Sequence, residues 1–277
     1  MKFKTTFQAI AFSGLVYCGS ASASTLEEAW SFYDQSNYSK AAEGFRDLKP
    51  IPPQGLGALC RMAVAKNAIS DAKADLQYCK DGVAANDPYS LVWLGLAYID
   101  GNKWLGLQRD LTLGLGYLAN AVTANFPVAS EVLCDYFYRD SKFGRAAPFC
   151  KVAATSNLPG GLYHLALMSI EGKGAVQDFD KGRKFALLSA SLNYFDAYML
   201  LGEISKTGNY GKPKDLVAAY AWYALAGAAA PDSDDPRKER DALALDPSKV
   251  EEAQKLASKW KKGEPQKWRN LYAATAK

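Results

Sequence analysis

An aromatic residue followed eight positions later by Asn recurs four times along this chain, at Tyr78/Asn86, Tyr117/Asn125, Phe149/Asn157 and Phe185/Asn193. A Leu stands eight residues after each Asn, at Leu94, Leu133, Leu165 and Leu201, so both series step by 39, 32 and 36 residues. A period of about 30–40 residues that carries helical patterning is what stacked helix hairpins look like in sequence, because each hairpin leaves an apolar face that only a neighbouring copy covers. The Asn-to-Leu distance never changes, so one connection is fixed and all length variation falls in the other.

Each unit reads as a helix A, a loop, a helix B and a short turn. Helix A carries a small residue four positions before its Leu: Gly55/Leu59, Ser90/Leu94, Ala129/Leu133, Gly161/Leu165 and Ala197/Leu201. A spacing of four keeps both on one helical face, where a small side chain lets a neighbouring helix approach. Seven residues after the Leu comes Gly101, Gly172 or Gly208, suited to a left-handed helix end, with Asp140 in that place in the Leu133 unit. Asp71, Asp110 and Asp178 stand seven residues before the aromatic, where a carboxylate caps the start of helix B. The repeated Asn ends helix B, and Pro88, Pro127 and Pro159 two positions later block its continuation.

The segments Gly172-Lys-Gly-Ala-Val-Gln-Asp178-Phe-Asp-Lys181 and Asp215-Leu-Val-Ala-Ala-Tyr220-Ala-Trp222-Tyr-Ala-Leu-Ala226 resemble the Sel1-like repeat, a relative of the tetratricopeptide repeat. The start of helix A from Ala197 to Gly202 matches the same pattern, and the resemblance covers about residues 55–230, with a shortened unit around Leu133. It implies an all-α, right-handed solenoid of about six antiparallel helix hairpins. Residues 24–50, with Ala29, Tyr33, Tyr38, Ala41, Ala42 and Phe45 at helical spacing, read as an N-terminal tetratricopeptide-like pair, closed by Pro50, Pro52 and Pro53. Repeats are expected over 54–230, and a capping helix from Asp246-Pro247 with a basic tail over 231–277. The solenoid is thus one continuous domain, 24–262.

Lys2 and Lys4, the apolar stretch Ala9 to Val16 and the small-residue run Ala21-Ser22-Ala23 form an export signal with cleavage expected after Ala23. Cys18 raises a rival lipid-anchored N-terminus, but Tyr17 stands where that pattern wants a small residue. The chain carries a formal charge of +4, which falls to +2 once Lys2 and Lys4 are removed. So slight a basic balance is not a nucleic-acid footprint. No later segment is long and apolar enough to span a bilayer, and the 49% hydrophobic content suffices for a core.

Four cysteines follow the expected cleavage point. Cys60 and Cys134 sit one residue after the helix A Leu, and Cys79 and Cys150 one residue after the helix B aromatic. Of the three connectivities, only Cys60–Cys79 with Cys134–Cys150 joins neighbours within a unit, and exported thiols are expected to oxidise. Four buried free thiols are the alternative reading. No Cys-x-x-Cys pair is present, and His164 is the single histidine, so neither a redox pair nor a zinc site is expected.

The resemblance implies one enzymatic alternative, a β-lactam or cell-wall peptide hydrolase of the cysteine-rich repeat type. Ser70-Asp-Ala-Lys73 matches Ser-x-x-Lys, and Lys206-Thr-Gly208 matches Lys-Thr-Gly. Both are explained as ordinary helix ends: Ser70-Asp71 opens a helix B, and Lys206 to Gly208 closes a helix A. The Ser-Asp-Asn element is missing. His164 stands just before the helix A Leu, where other units hold Ala58, Trp93, Val132 and Leu200, and reads as a half-buried packing residue. No catalytic residue, metal or cofactor is expected.

Positions −2, +2 and +5 from the Leu lie opposite the small-residue seam. They are largely apolar in two units, which predicts a groove of Val92, Leu96, Ile99, Tyr163, Leu167 and Ile170 flanked by Glu131, Asp135 and Glu203. Tight superhelical burial of the same residues is the competing explanation. The basic run Trp260 to Arg269, with Trp268, reads as a solvated helix end packed on the last repeat. The function expected is a periplasmic or secreted scaffold that holds another protein or peptide of the cell envelope through the concave helix A face, with no transmembrane segment after signal cleavage.

Overall fold

The computed structural model describes residues 25–67 and 71–263. The expected signal segment, Cys18, Ser70 and the tail beyond Gly263 lie outside them. Within them the chain is an all-α repeat solenoid, built from pairs of helices of similar length. The first pair is α1 (Leu26–Asp34) and α2 (Tyr38–Asp47), and the second α3 (Pro53–Val64) and α4 (Ala72–Ala84). Then follow α5 (Pro88–Asp100) with α6 (Leu111–Thr123), and α7 (Pro127–Arg139) with α8 (Phe143–Thr155). The last pairs are α9 (Pro159–Glu171) with α10 (Phe179–Ser191), and α11 (Phe195–Thr207) with α12 (Leu216–Ala229). Two single helices, α13 (Asp235–Asp241) and α14 (Pro247–Lys259), both pack on α12.

Local chemistry sets these boundaries. Asp71, Asp110, Asp178 and Asp215 accept hydrogen bonds from the backbone N–H groups of Lys73, Leu113, Lys181 and Ala218, so every second helix of a pair starts on an aspartate cap except α2, which starts on Asn37, and α8. Asn86, Asn125, Asn157 and Asn193 turn the chain after helix B at positive φ, between 54° and 62°. Asn tolerates that region better than most residues because its short side chain bonds locally. Pro88, Pro127 and Pro159 then occupy the first turn of the next helix A, where the missing N–H costs nothing. The same proline therefore stops one helix and opens another. In the Leu133 unit the left-handed position falls at Ser141 (φ 55°), one residue beyond the Asp140 that the sequence alignment of units suggested.

Two seams hold the stack. The small residue before each Leu faces the preceding helix B: a Cβ built on Gly161 would lie 2.4 Å from Ala153 Cβ on α8, a distance real side chains do not adopt. The residue after each Leu faces helix B of its own hairpin. There the five units hold Cys60, Gly95, Cys134, Ala166 and Gly202, and their opposites are Cys79, Leu118, Cys150, Gly182 and Tyr223. Gly202 makes room for the Tyr223 ring, whereas Cys60 and Cys134 close the same gap covalently. The Cys60–Cys79 and Cys134–Cys150 disulfides span Cα separations of 4.5 and 4.8 Å, and all four residues are fully buried. The core otherwise consists of side chains such as Phe126, Leu118 and Met168, each contributing roughly 1.5–3 kcal/mol by leaving water. No helix among the described residues is long and apolar enough to cross a membrane.

Candidate functional site

Successive A helices lie side by side, and side chains tie each to the next. Between α1, α3 and α5, the Arg61 guanidinium sits over the rings of Tyr33 and Trp93, at 5.1 and 5.4 Å from their centroids, and donates a hydrogen bond to the Tyr33 hydroxyl. Tyr89 of α5 meets Phe126 at the start of α7 edge to face. Between α7 and α9, Glu131 Oε1 accepts from the Gly160 N–H at 2.7 Å, and His164 Nε2 lies 3.1 Å from Asp135 Oδ1. The Tyr138 hydroxyl donates to Glu171 at 3.2 Å. Tyr163 then meets Tyr194, at the start of α11, with ring centroids 5.6 Å apart.

These ties divide the groove expected from sequence. Val92, Ile99 and Ile170 are buried, at 1%, 6% and 2% exposure, and cannot touch a partner without unpacking. Leu96, Tyr163, Leu167, Glu131 and Asp135 are partly exposed, and Glu203 is exposed. The helical wheel explains the correction. Position +5 lies about 140° round from the Leu, close to the +1 position at about 100°, so it faces helix B. The Cγ1 atoms of Ile99 and Ile170 press against Gly114 and Gly182 of their own hairpins. Position −2 meets the start of the following helix A, as Glu131 and Tyr163 do, and is solvated only at its edge.

The accessible row instead runs through positions +2 and +6: Leu96/Asp100, Asp135/Arg139, Leu167/Glu171 and Glu203/Thr207. The +6 members are exposed in all four helices, and sequence reasoning missed them. The signal was present, since Asp135 and Arg139 form an i,i+4 ion pair at 2.8 Å and therefore share a face. Between α5 and α7 the row opens into a cavity of about 360 Å³, lined by Leu96, Ile99 and Val132 on its apolar side and Asp100, Arg109, Asp135 and Arg139 on its charged side. Burial pushes Asp135 up, but the His164 hydrogen bond and the Arg139 charge outweigh it and hold the carboxyl below its usual range. Burial lifts Glu131 above the usual carboxylate range, and the Gly160 and Gly161 N–H groups only partly oppose it.

His164 is buried, not half-buried, at 5% exposure, between the rings of Tyr138 and Tyr163. Of the Ser-x-x-Lys match, Lys73 sits exposed in the first turn of α4 while Ser70 lies outside the described residues. The Lys206 ammonium, at the end of α11, is engaged by Glu239 at 2.7 Å and Glu203 at 3.8 Å. Among the described residues no His, Cys, Asp and Glu side chains gather in a set that could hold a metal.

The arrangement matches solved structures across most of its length. A protective antigen present in uropathogenic Escherichia coli strains, described as displaying an SLR fold, superposes with a TM-score of 0.69 at 16% identity, over 91% of this chain and 55% of that one. A Sel1 repeat protein from Oxalobacter formigenes superposes with a TM-score of 0.66 at 20% identity, over 91% of this chain and all of that one. The fold is that of the Sel1-like repeat. No protein-family profile matches the chain. In sequence, 152 residues of this Sel1-like stack are 33% identical to Protein DSF2 of Saccharomyces cerevisiae, covering 54% of this chain and 20% of that protein. The chain thus spans about a fifth of the length of the curated relative it matches. The two disulfides suit an oxidising, extracytoplasmic environment for this chain.

Proposed function

We propose that the chain is a non-enzymatic scaffold of the cell envelope that holds a partner protein or peptide along the +2/+6 face of its A helices. The observation that carries this reading is the cavity between α5 and α7, which opens onto a row of partly exposed side chains repeated across four successive helices. Such a face is preorganised: hairpins cross-linked through Cys60–Cys79 and Cys134–Cys150 present side chains with little ordering cost on binding. Export to the periplasm is supported by those disulfides and by the basic and apolar start of the sequence.

A photo-crosslinking residue at position 96 or 167 of the exported protein tests the reading. Adducts with a defined protein are expected from both positions and none from position 151, on the exposed side of α8. Leu167→Ser should abolish the adduct from position 96, and Leu96→Asp the adduct from position 167, while helix content is retained. An adduct that survives either exchange sinks the proposal. Nitrocefin turnover by the oxidised protein, expected to stay at background, separates a scaffold from the hydrolase alternative.

A further inference from the structure

The charge on the A-helix face is uneven. From α7 to α11 it carries Asp135, Glu171 and Asp196 around three partly exposed tyrosines, Tyr138, Tyr163 and Tyr194. Arg139 neutralises Asp135, and Lys173 lies 3.0 Å from Glu171. Asp196, in the first turn of α11, has no ion-pair partner among the described residues. It sits beside two rings, since Tyr163 and Tyr194 approach to 5.6 Å with their planes tilted by 52°. The tyrosines register the local field. Burial, and after it the charges of Asp196 and Glu171, push the Tyr163 hydroxyl up to about 12, with Arg139 the one opposing charge. Tyr194 is raised by burial, then by the charges of Asp196, Glu131 and Asp135, and by its own hydrogen bond to Asp196, which therefore already accepts from one phenol.

Two aromatic faces beside an unneutralised carboxylate form an environment suited to a cation, because ring quadrupoles and the carboxylate attract positive charge together. An anionic side chain would meet like charge there. Resting on the scaffold reading above, we propose that the partner presents an arginine or lysine against the exposed side of the Tyr163–Tyr194 pair, with Asp196 as counter-ion, on an otherwise apolar peptide. Leu167 and the cavity beside Leu96 lie along the same row and suit its apolar side chains. The partner is thus a basic, amphipathic segment.

The test uses the purified full-length oxidised protein and labelled peptides of alternating leucine and alanine, with arginine, glutamine or glutamate at the same interspersed positions. Fluorescence anisotropy should show binding of the arginine peptide, weakened by added salt, and none of the glutamate peptide. Asp196→Asn and, separately, Tyr163→Leu should each weaken the arginine peptide by about tenfold, while Lys151→Ala leaves it unchanged. Unaltered far-UV circular dichroism shows that the variants remain folded. Equal affinity for the arginine and glutamate peptides overturns the proposal, as does Asp196→Asn binding at full strength or no binding of the arginine peptide at all. If the crosslinked adduct from position 96 persists in Asp196→Asn, the scaffold reading stands and only the cationic assignment falls.

Discussion

Glu131 of α7 accepts a hydrogen bond from the Gly160 N–H of α9 at 2.7 Å, so the side chain of one hairpin caps the first helix of the next. The residue at the natural capping place is Leu158, which has nothing to offer an exposed N–H. The role passes to a carboxylate from the neighbouring repeat, and a helix end becomes a joint of the stack.

Removing this joint has a defined cost. Glu131→Ala should destabilise the protein by about 1–2 kcal/mol, read as a lower urea midpoint. Burial holds the Glu131 carboxyl above its ordinary range in the folded state. Between the unfolded and folded values the native chain therefore binds the extra proton, and the contribution of Glu131 to stability declines as pH rises through that window. Glu131→Gln keeps an acceptor without the charge, so it should lose less stability than the parent on moving from about pH 4 to 7.

Each disulfide closes a short loop, with sequence separations of 19 and 16. Replacing either pair by serines should cost about 3 kcal/mol by the chain-entropy account, measured by urea unfolding of the oxidised and doubly substituted proteins. Peptide mapping without reductant should recover Cys60 joined to Cys79 and Cys134 joined to Cys150. Any cross-hairpin peptide contradicts the structure.

The inter-hairpin seam has a built-in control. Gly161→Ala places a methyl against Ala153 and the α8 backbone and should destabilise by about 1–3 kcal/mol. Gly116, in the middle of α6, has open space around the same direction. Gly116→Ala should stabilise by up to about 1 kcal/mol, since alanine is the better helix former. Thermal melts of the two variants should move in opposite directions.

Val92 and Leu96 lie one helical turn apart, yet only Leu96 reaches solvent. Val92→Asp should unfold the protein or cost upwards of about 3 kcal/mol, because it buries an unpaired charge. Leu96→Asp should cost less than about 1 kcal/mol while removing the crosslinked adduct formed from position 167. Circular dichroism and crosslinking of the pair report packing and binding separately.

Much of the fold was legible because it is written in short-range chemistry. The aspartate caps, the asparagine turns and the helix-opening prolines depend on residues within a few positions of one another, and the thiols of each pair share a register. The exposed face of the A helices was read less well. Periodicity places Val92, Leu96 and Ile99 on one broad face of α5, but it does not say how much of that face the next helices cover. Ile99 is claimed by Gly114 of its own hairpin and Val92 by the following unit, and those contacts span distances a local pattern does not record. The short helix α13 went unnoticed for a related reason. Seven mostly charged residues show no periodicity, and the helix is fixed by tertiary ties such as Glu239 to Lys206.

The disulfides run across the rungs of this ladder, and none runs along its rails. The α3–α4 and α7–α8 hairpins are stiffened tiles, whereas the joints between tiles are noncovalent, among them ring contacts, the Arg46–Asp75 ion pair, the Arg61–Tyr33 and Tyr138–Glu171 hydrogen bonds, the His164–Asp135 contact and the borrowed cap. Neighbouring tiles can therefore spread or draw together without breaking a covalent bond, and oxidation sets the shape of each tile but not the pitch of the whole.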